Sequence, residues 1–511
     1  MEILFLNRIL LKVLDNYHRI GPYQARMPEQ KNTKNHLIDL TTAEGRKAYK
    51  KLVPTRASLA DVNLKREITN PNEVWFHPGK ITGKDEIIDG RRQYVLHTYG
   101  VLPSGAKAKV MLTDLDVYFT VFNKDFSPDM DKLEVQVRAV IDSICVSDSL
   151  RELRVLEDQI IYSRGFVMDN RLAKGIRVFF HDFRSMKKAL QEFRNLSNRF
   201  YLTCDDMNQV SYQDAISRRH DLQTANWWEF ASSDALFVAN TYEAKMHEPG
   251  MHPSMCDDEI YEEYRTKAIF SKALYNYAVP IKKIRQVDNS RTMGMLKFLE
   301  MDWDIETSKG EGLNDSDLIP RNINLFMIGL NLSWSNSKND IMRICLIDKP
   351  FDGPVTSEDG VPRLHIICGS EEAVKDIFAD IIARIQPDMI YDFNGGLFDW
   401  PVLYTILLRY DCVAEFFEKI DMAYWAWAPS MASLERYIMQ TKIESGMIKT
   451  AKFVAVGVAI KISPDDTAYV SNPNVNGITC IDMCAVYRQR FPKLKKFGLN
   501  FFLKIIKEEP K

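Results

Sequence analysis

Five residues in the second half of the chain have types and spacings suited to metal-assisted hydrolysis. Asp304 and Glu306 lie in Met-Asp-Trp-Asp-Ile-Glu-Thr, and Asn394, Phe398 and Asp399 lie in Tyr-Asp-Phe-Asn-Gly-Gly-Leu-Phe-Asp-Trp-Pro. Each stretch is an apolar run that ends in carboxylates. Residues two apart in a strand share a face, so Asp304 and Glu306 point the same way. Two acids on one face repel each other and lose hydration, a cost that a divalent cation offsets directly. Bound water is then activated as a nucleophile near neutral pH. A lone Asp-x-Glu would serve equally well as a solvated strand end, and Asn-Gly-Gly as a plain turn. The two stretches together, in this order, favour the site, because Pro401 suits the first turn of a helix that would carry Asp399.

The elements that must hold these residues are legible around them. After Arg291 strands and helices alternate. Strands are expected over 298–305, 323–334, 342–347, 389–393 and 478–483, and amphipathic helices over 373–385, 398–410 and 496–506. That alternation implies a mixed α/β sheet covered by helices. Upstream, residues 1–72 read as a charged helical leader closed by Pro54 and the Asn70-Pro71-Asn72 turn. From 73 to 145 short β-type runs dominate, including 94–99, 108–112 and 117–122, divided by Pro103-Ser104-Gly105 and Asp114. A strand at 176–180 leads into a helix with Ala189, Leu190, Phe193 and Leu196 on one face, so a second α/β module is expected near 150–290. No internal repeat or low-complexity tract interrupts the chain.

With 511 residues, 46% hydrophobic and 11% aromatic, the chain has material for several packed domains. Its net charge of -2 gives no bulk attraction to nucleic acid, so any such surface must be local. Arg46-Lys47 with Lys50-Lys51 reads as a solvated face. Arg488, Arg490, Lys493, Lys495 and Lys496 are better placed for DNA, because they follow a core strand. The eight cysteines are scattered, and the Cys480–Cys484 spacing finds no second pair to complete a zinc site. Reduced thiols in an intracellular compartment are the expectation. The apolar N-terminus is broken by Arg8 and Lys12 and reads as an amphipathic helix rather than a signal peptide. No apolar run is long enough to span a bilayer. Gly79-Lys-Ile-Thr-Gly83-Lys84 is one residue short of a phosphate loop, and Tyr424-Trp-Ala-Trp427 reads as a buried aromatic cluster.

The pair of acidic stretches resembles the first two exonuclease motifs of family B DNA polymerases. Thr479-Cys-Ile-Asp482-Met, followed by Leu494-Lys-Lys-Phe-Gly-Leu-Asn500, is similar to a later strand and helix of that family, especially in polymerases of large cytoplasmic DNA viruses of the asfarvirus type. The resemblance implies a ribonuclease-H-like 3′–5′ exonuclease core over 296–511, preceded by a β-rich and mixed N-terminal domain over 73–295. It implies two magnesium or manganese ions on Asp304, Glu306 and Asp399, with Asn394 and Phe398 holding the single-stranded 3′ end of a primer-template. Asp482 is expected to serve the strand end rather than the metals. The host cytoplasmic replication site is the implied location, with the nucleus as the alternative.

The family's next element, Tyr-x-x-x-Asp, does not follow the second motif, and the only such spacing is Tyr201-Leu-Thr-Cys-Asp205, which precedes the first. The polymerase motifs of the palm are missing as well, as are fingers and thumb. The expectation is the front portion of a viral replicative polymerase, its palm supplied by a longer product or a second polypeptide. A free-standing 3′–5′ exonuclease and a non-catalytic DNA-binding fragment are the competing readings. The long N-terminal extension weighs against the first, and the retention of Asp304, Glu306, Asp399 and Asn394 together weighs against the second.

Overall fold

A four-residue strand, β1 (His36–Asp39), opens the described part of the chain. The computed structural model describes residues 36–60, 73–123, 129–203, 209–239, 269–287, 296–309, 323–350, 360–423, 458–491 and 498–502, apart from 145, 164–165, 338, 397, 464–465 and 471. Two helices follow, α1 (Ala43–Leu52) and α2 (Arg56–Leu59). Thr42 caps the first by accepting the Gly45 N–H, and Thr55 with Ser58 forms a capping box on the second. The expected helical leader is therefore corrected in one respect. Its described residues begin with a strand that joins the sheet of the second half, in parallel with residues 364–367. Four residues are too few to show a strand's alternation, and only the distant partner reveals it.

The N-terminal region contains two sheets. The first draws on β2 (Val74–Ile88), β3 (Arg91–Val101) and β4 (Lys107–Thr113), an antiparallel meander. The stretch with phosphate-loop spacing lies inside β2, with Gly83 paired to Leu96, so its backbone groups serve the sheet. Next comes a βαββαβ module: β5 (Val117–Asn123), α3 (Met130–Ser143), β6 (Leu150–Ser163), β7 (Phe166–Phe180), α4 (Phe183–Asn195) and β8 (Phe200–Thr203). Its strands run in the order β6-β7-β5-β8, all antiparallel. Val117, Phe119 and Val121 alternate inward against Leu133, Val137, Leu190 and Phe193 of α3 and α4. After α5 (Gln209–Arg219), β9 (Trp228–Phe230), β10 (Leu236–Ala239), β11 (Tyr275–Pro280) and β12 (Arg285–Gln286) complete the first sheet in the order β10-β11-β4-β3-β2-β9-β12.

The second half is built on β13 (Leu299–Lys309), β14 (Ile323–Trp334), β15 (Asp340–Ile347), β16 (Arg363–Ile367), α6 (Glu371–Ile385), β17 (Met389–Asp392), α7 (Asp399–Arg409) and α8 (Val413–Ile420). A hairpin of β18 (Val458–Ser463) and β19 (Asp466–Val470) precedes β20 (Thr479–Asp482) and α9 (Met483–Arg490). The sheet runs β1-β16-β15-β14-β13-β17-β20. Strands β13, β14 and β15 are antiparallel neighbours, whereas β17 and β20 run parallel to β13. One face is covered by α6, α7 and α8. In α6, Val374, Phe378, Ile381, Ile382 and Ile385 recur at helical spacing and are fully buried. The helix starts at Ser370, whose hydroxyl accepts the Ala373 N–H, and stops at Gln386 in the left-handed region at φ 49°.

Of the sequence expectations, the amphipathic helix at the extreme N-terminus and the aromatic run 424–427 lie outside the described residues. The helix expected over 496–506 is described only at 499–502. Among the described residues no helix is long and apolar enough to cross a membrane, and no disulfide links the cysteines.

A buried ion cluster joins the three parts. The Asp388 carboxylate, just before β17, accepts Arg56 Nη2 from α2 at 2.8 Å and Lys107 Nζ from β4 at 2.6 Å. It also accepts the Leu299 N–H at the start of β13 at 2.8 Å. Arg56 donates further to the carbonyls of Gly105 and Gln386, both at 2.8 Å. Burial pushes the Lys107 amine down to about 8, with Asp388 opposing the fall. Replacing Asp388 by Ala strands two buried cations. Removing one partner of such a cluster costs about 3–5 kcal/mol, and urea denaturation should show a loss of that order with an unchanged m-value.

Candidate active site

Strand β13 alternates strictly across the sheet. Met301, Trp303 and Ile305 are buried in the core, while Asp302, Asp304 and Glu306 face outward. The shared face expected for Asp304 and Glu306 is thus a consequence of the strand's pleat. A bulge between Glu306 and Thr307 interrupts the pairing with β14. Two tryptophans bring the second acidic stretch to the first. Trp303, next to Asp304, packs on Trp400, next to Asp399, with ring centroids 4.5 Å apart, and stacks on Phe378 of α6 at 5.0 Å. Both indoles are essentially buried.

Asp399 opens α7 and is 3% exposed. Burial and then the negative charge of Asp304 push its carboxyl up to about 7, against the Ile305 backbone N–H that faces it. Asp304 sits outward, but the surrounding protein also raises its carboxyl, with the Ile305 N–H again opposing. Asp399 thus lies within reach of the Asp304 charge across the β13–α7 junction. Glu306 lies on the same face beyond them, and among the described residues no three His, Cys, Asp or Glu side chains converge as a single ion cage. None of the ion pairs among the described residues engages Asp304, Glu306 or Asp399.

The loop between β17 and α7 is held by two further buried acids. Asp392 and Asp482 are paired neighbours on β17 and β20. Asp392 accepts the Gly395 N–H at 3.1 Å and Trp400 Nε1 at 3.0 Å. A side chain at Gly395 would collide with the Asp392 carboxyl at 2.3 Å, so glycine is required there. Asp482 accepts the N–H of Asn394 at 2.9 Å and caps α9 through Cys484 at 2.8 Å. This is the strand-end role expected for Asp482. Burial, then the charges of Asp482 and Asp399, push Asp392 up to about 8. Asp392 was missed by sequence reasoning, although its place at the end of a strand, two residues before Asn394, was a readable signal.

Asn394 occupies the left-handed region at φ 66°, which asparagine tolerates better than most residues. Its side chain and that of Phe398 are half-buried at the mouth of the loop, Phe398 resting against the core. A cavity of about 390 Å³ opens beside Asp304 on the outward face, lined by Asn331, Arg343, Arg363 and His365 among others. These basic residues come from strands that carried no motif, so only the sheet order assembles them. Of the two basic runs, Arg46, Lys47, Lys50 and Lys51 lie exposed on α1, remote from any pocket described here. Arg490 is exposed and Arg488 half-buried on α9, while Lys493, Lys495 and Lys496 lie outside the described residues.

The resemblance read from the motifs is borne out by relatives named as viral DNA polymerases, to which the chain is similar over 80% of its length. It is 21% identical over 411 residues to the DNA polymerase beta of African swine fever virus isolate Pig/Kenya/KEN-50/1950, covering 80% of this chain and 28% of that protein. The corresponding protein of isolate Warthog/Namibia/Wart80/1980 is 22% identical over 410 residues, with the same coverage. The chain thus spans less than a third of the length of these relatives. Among solved structures, the family B DNA polymerase of Pyrobaculum calidifontis matches 66% of this chain and 32% of its own, at 13% identity and a TM-score of 0.38. No protein-family model matches the chain.

The raised acids make stability depend on pH with a definite sign. Folded Asp399 and Asp392 hold their protons up to about 7 and 8, against an ordinary value of 3.8. The folded chain binds more protons than the unfolded chain between those limits, so stability falls as pH rises from about 4 to 8. Asp399→Asn should flatten this slope and raise the thermal midpoint at pH 8 relative to the parent, measured in chelator.

Proposed function

We propose that this chain is the proofreading, N-terminal portion of a family B DNA-directed DNA polymerase that serves viral DNA replication, with a ribonuclease-H-like 3′–5′ exonuclease core over 296–511. The observation that supports this reading is the packing of Trp303 on Trp400, which brings the two acidic stretches together and leaves buried Asp399 within reach of the Asp304 charge. The strand order β15-β14-β13-β17-β20 supports it. Three antiparallel strands are followed by two parallel ones, and the acids lie on the first strand and the helix after the fourth. The relatives named as DNA polymerases support the polymerase context.

Two magnesium or manganese ions are the implied cofactor. Carboxylate oxygens are the ligands such ions take, and buried Asp399, with Asp304 near it and Glu306 on the same face, would supply them on being drawn together, since the three do not converge as one cage in this structure. These three carboxylates would hold the ions, which when bound activate water and neutralise charge on the scissile phosphate. The chain's other residues position the substrate. Asn394, on its left-handed corner, offers its amide to the terminal nucleotide. Phe398 offers a ring on which a frayed base stacks, a contact worth about 1–3 kcal/mol. Arg343 and Arg363, along the cavity beside Asp304, draw the sugar–phosphate backbone across the open sheet face.

No Tyr-x-x-x-Asp follows the second motif in these 511 residues, so the group that would orient the attacking water is not supplied by that pattern. Losing one preorganised active-site contact costs about 10²–10³ in rate. The purified chain, given labelled primer-template, manganese and all four nucleotides, should show weak 3′–5′ degradation or none, and no primer extension. Extension would overturn the reading. Any degradation should vanish in Asp304→Ala/Glu306→Ala with the thermal midpoint in chelator preserved, and cleavage undiminished in that variant would refute the assignment of the acids. Manganese should raise the parent's midpoint more at pH 8 than at pH 5.5, where Asp399 keeps its proton, and should have no such effect on the double variant.

A further inference from the structure

Next to Asp304, the outward face of the second-half sheet holds a glycine that the fold does not require. Strand register sets Gly329 of β14 between Asp304 of β13 and Cys345 of β15, with His365 of β16 one strand further on. Glycine in the middle of a strand weakens it, and is expected at a bulge, at a positive φ or where something approaches closely. Gly329 pairs in regular register on both sides and is not among the glycines of positive φ. Among the described residues nothing lies within 4 Å of where its side chain would be. The remaining reason is close approach by a ligand, and Gly329 lines the cavity of about 390 Å³ that opens beside Asp304. That volume falls within the about 300–1,000 Å³ of small-ligand clefts. The rows flanking Gly329 differ in chemistry. On one side run Asn331, Arg343 and Arg363, and on the other Met327 and Ile347. Asp340 holds Arg343 at 2.8 Å. Asn331 Nδ2 donates to Asp302 at 3.1 Å and to Asp340 at 3.2 Å, which fixes the amide. Its Oδ1 is left as a buried acceptor with no hydrogen-bond partner among the described residues. The trough thus offers cations for a phosphate, an apolar wall for a sugar or base, and an acceptor for an N–H or O–H.

We infer that Gly329 is a specificity-determining residue of the proposed exonuclease. It seats the nucleotide on the 5′ side of the scissile bond, so the site takes a strand and not a single nucleotide. The inference rests on the exonuclease reading. Sheet order carries the assignment: Asn394 and Phe398 follow β17, on one side of β13, and the trough lies over β14 and β15 on the other. A strand cut at the acids lies across β13. With its terminal nucleotide on Asn394 and Phe398, its next nucleotide comes down on Gly329, and the phosphate beyond reaches Arg343 and Arg363. Bare backbone lets that sugar and base lie against the sheet, whereas a side chain would hold them off.

The test measures binding to the full chain in calcium, whose looser coordination disfavours cleavage. A 5′-labelled thymidine tetranucleotide is followed by anisotropy, with unlabelled thymidine 5′-monophosphate as competitor. Gly329→Val should weaken the tetranucleotide about tenfold, as one extra group in a fitted pocket does, and Gly329→Ala should weaken it less. Both variants should leave the inhibition constant of the mononucleotide unchanged. Both should melt at or above the parent's midpoint, because the added side chain enters open space and removes a glycine from the strand. Unchanged tetranucleotide affinity in a Gly329→Val variant that melts so would overturn the inference. Equal weakening of tetranucleotide and mononucleotide would do the same, as would a parent that binds the two alike. Should valine lower the midpoint, the alanine variant decides by the same criteria. Asp304→Ala/Glu306→Ala in this assay judges the exonuclease reading separately. Calcium-dependent binding of the mononucleotide should be lost there, and its persistence would sink that reading whatever Gly329 shows.

Discussion

A single buried carboxylate fixes how the parts of this chain meet. Asp388 is held by a guanidinium from the leader, an ammonium from the N-terminal sheet and the backbone N–H that opens β13. None of these groups could be buried alone, since an isolated charge in a protein interior is prohibitively costly. Each is tolerable only while the other two are in place, so the junction forms as a unit. Because Asp388 immediately precedes β17 and Leu299 begins β13, the same carboxylate sets the stagger of the two strands that carry the acidic stretches. An apolar junction of equal volume would be as stable or more so, but it would tolerate sliding. Directional bonds do not.

Within that frame the site depends on a contrast between the two sides of one strand. Trp303 and Trp400 pack together in the core, and their neighbours Asp304 and Asp399 are held within reach of each other's charge. Favourable aromatic packing thereby sustains unfavourable electrostatics. Asp392 and Asp482 add to the strain, each satisfied by backbone N–H groups of the loop that carries Asn394. The corner at Asn394 and Gly395 is thus fixed by hydrogen bonds to both acids, which are distinct from Asp304 and Glu306 on the outward face.

Much of this was visible in the residues, and the failures share a cause. The strand 323–334 and the helix after Asp399 were readable from local patterning, because alternation and a proline in the first turn of a helix are local properties. So were Asp304, Glu306 and Asp399, whose types at a strand end and a helix start are chemically unusual. Two things were hidden. β1 is too short to announce itself, and Asp388 looks like any surface acid before a strand. In each case the deciding partner lies far away in sequence: residues 364–367 and Lys107. Local chemistry is legible from local sequence; pairing is not.

The placement of β1 has a bearing on how the chain is made. It is the outermost strand of the second-half sheet, and it lies parallel to β16, which is synthesised more than three hundred residues later. Until β16 emerges from the ribosome, β1 and the helices behind it have no sheet to join, and Arg56 and Lys107 have no Asp388. Long-range parallel pairing of this kind is slow to form. In the finished fold the short β1 covers the edge of β16 that would otherwise be open to pairing with other chains, as short edge strands do. The first described segment to be made is among the last to find its place, and its arrival closes the sheet.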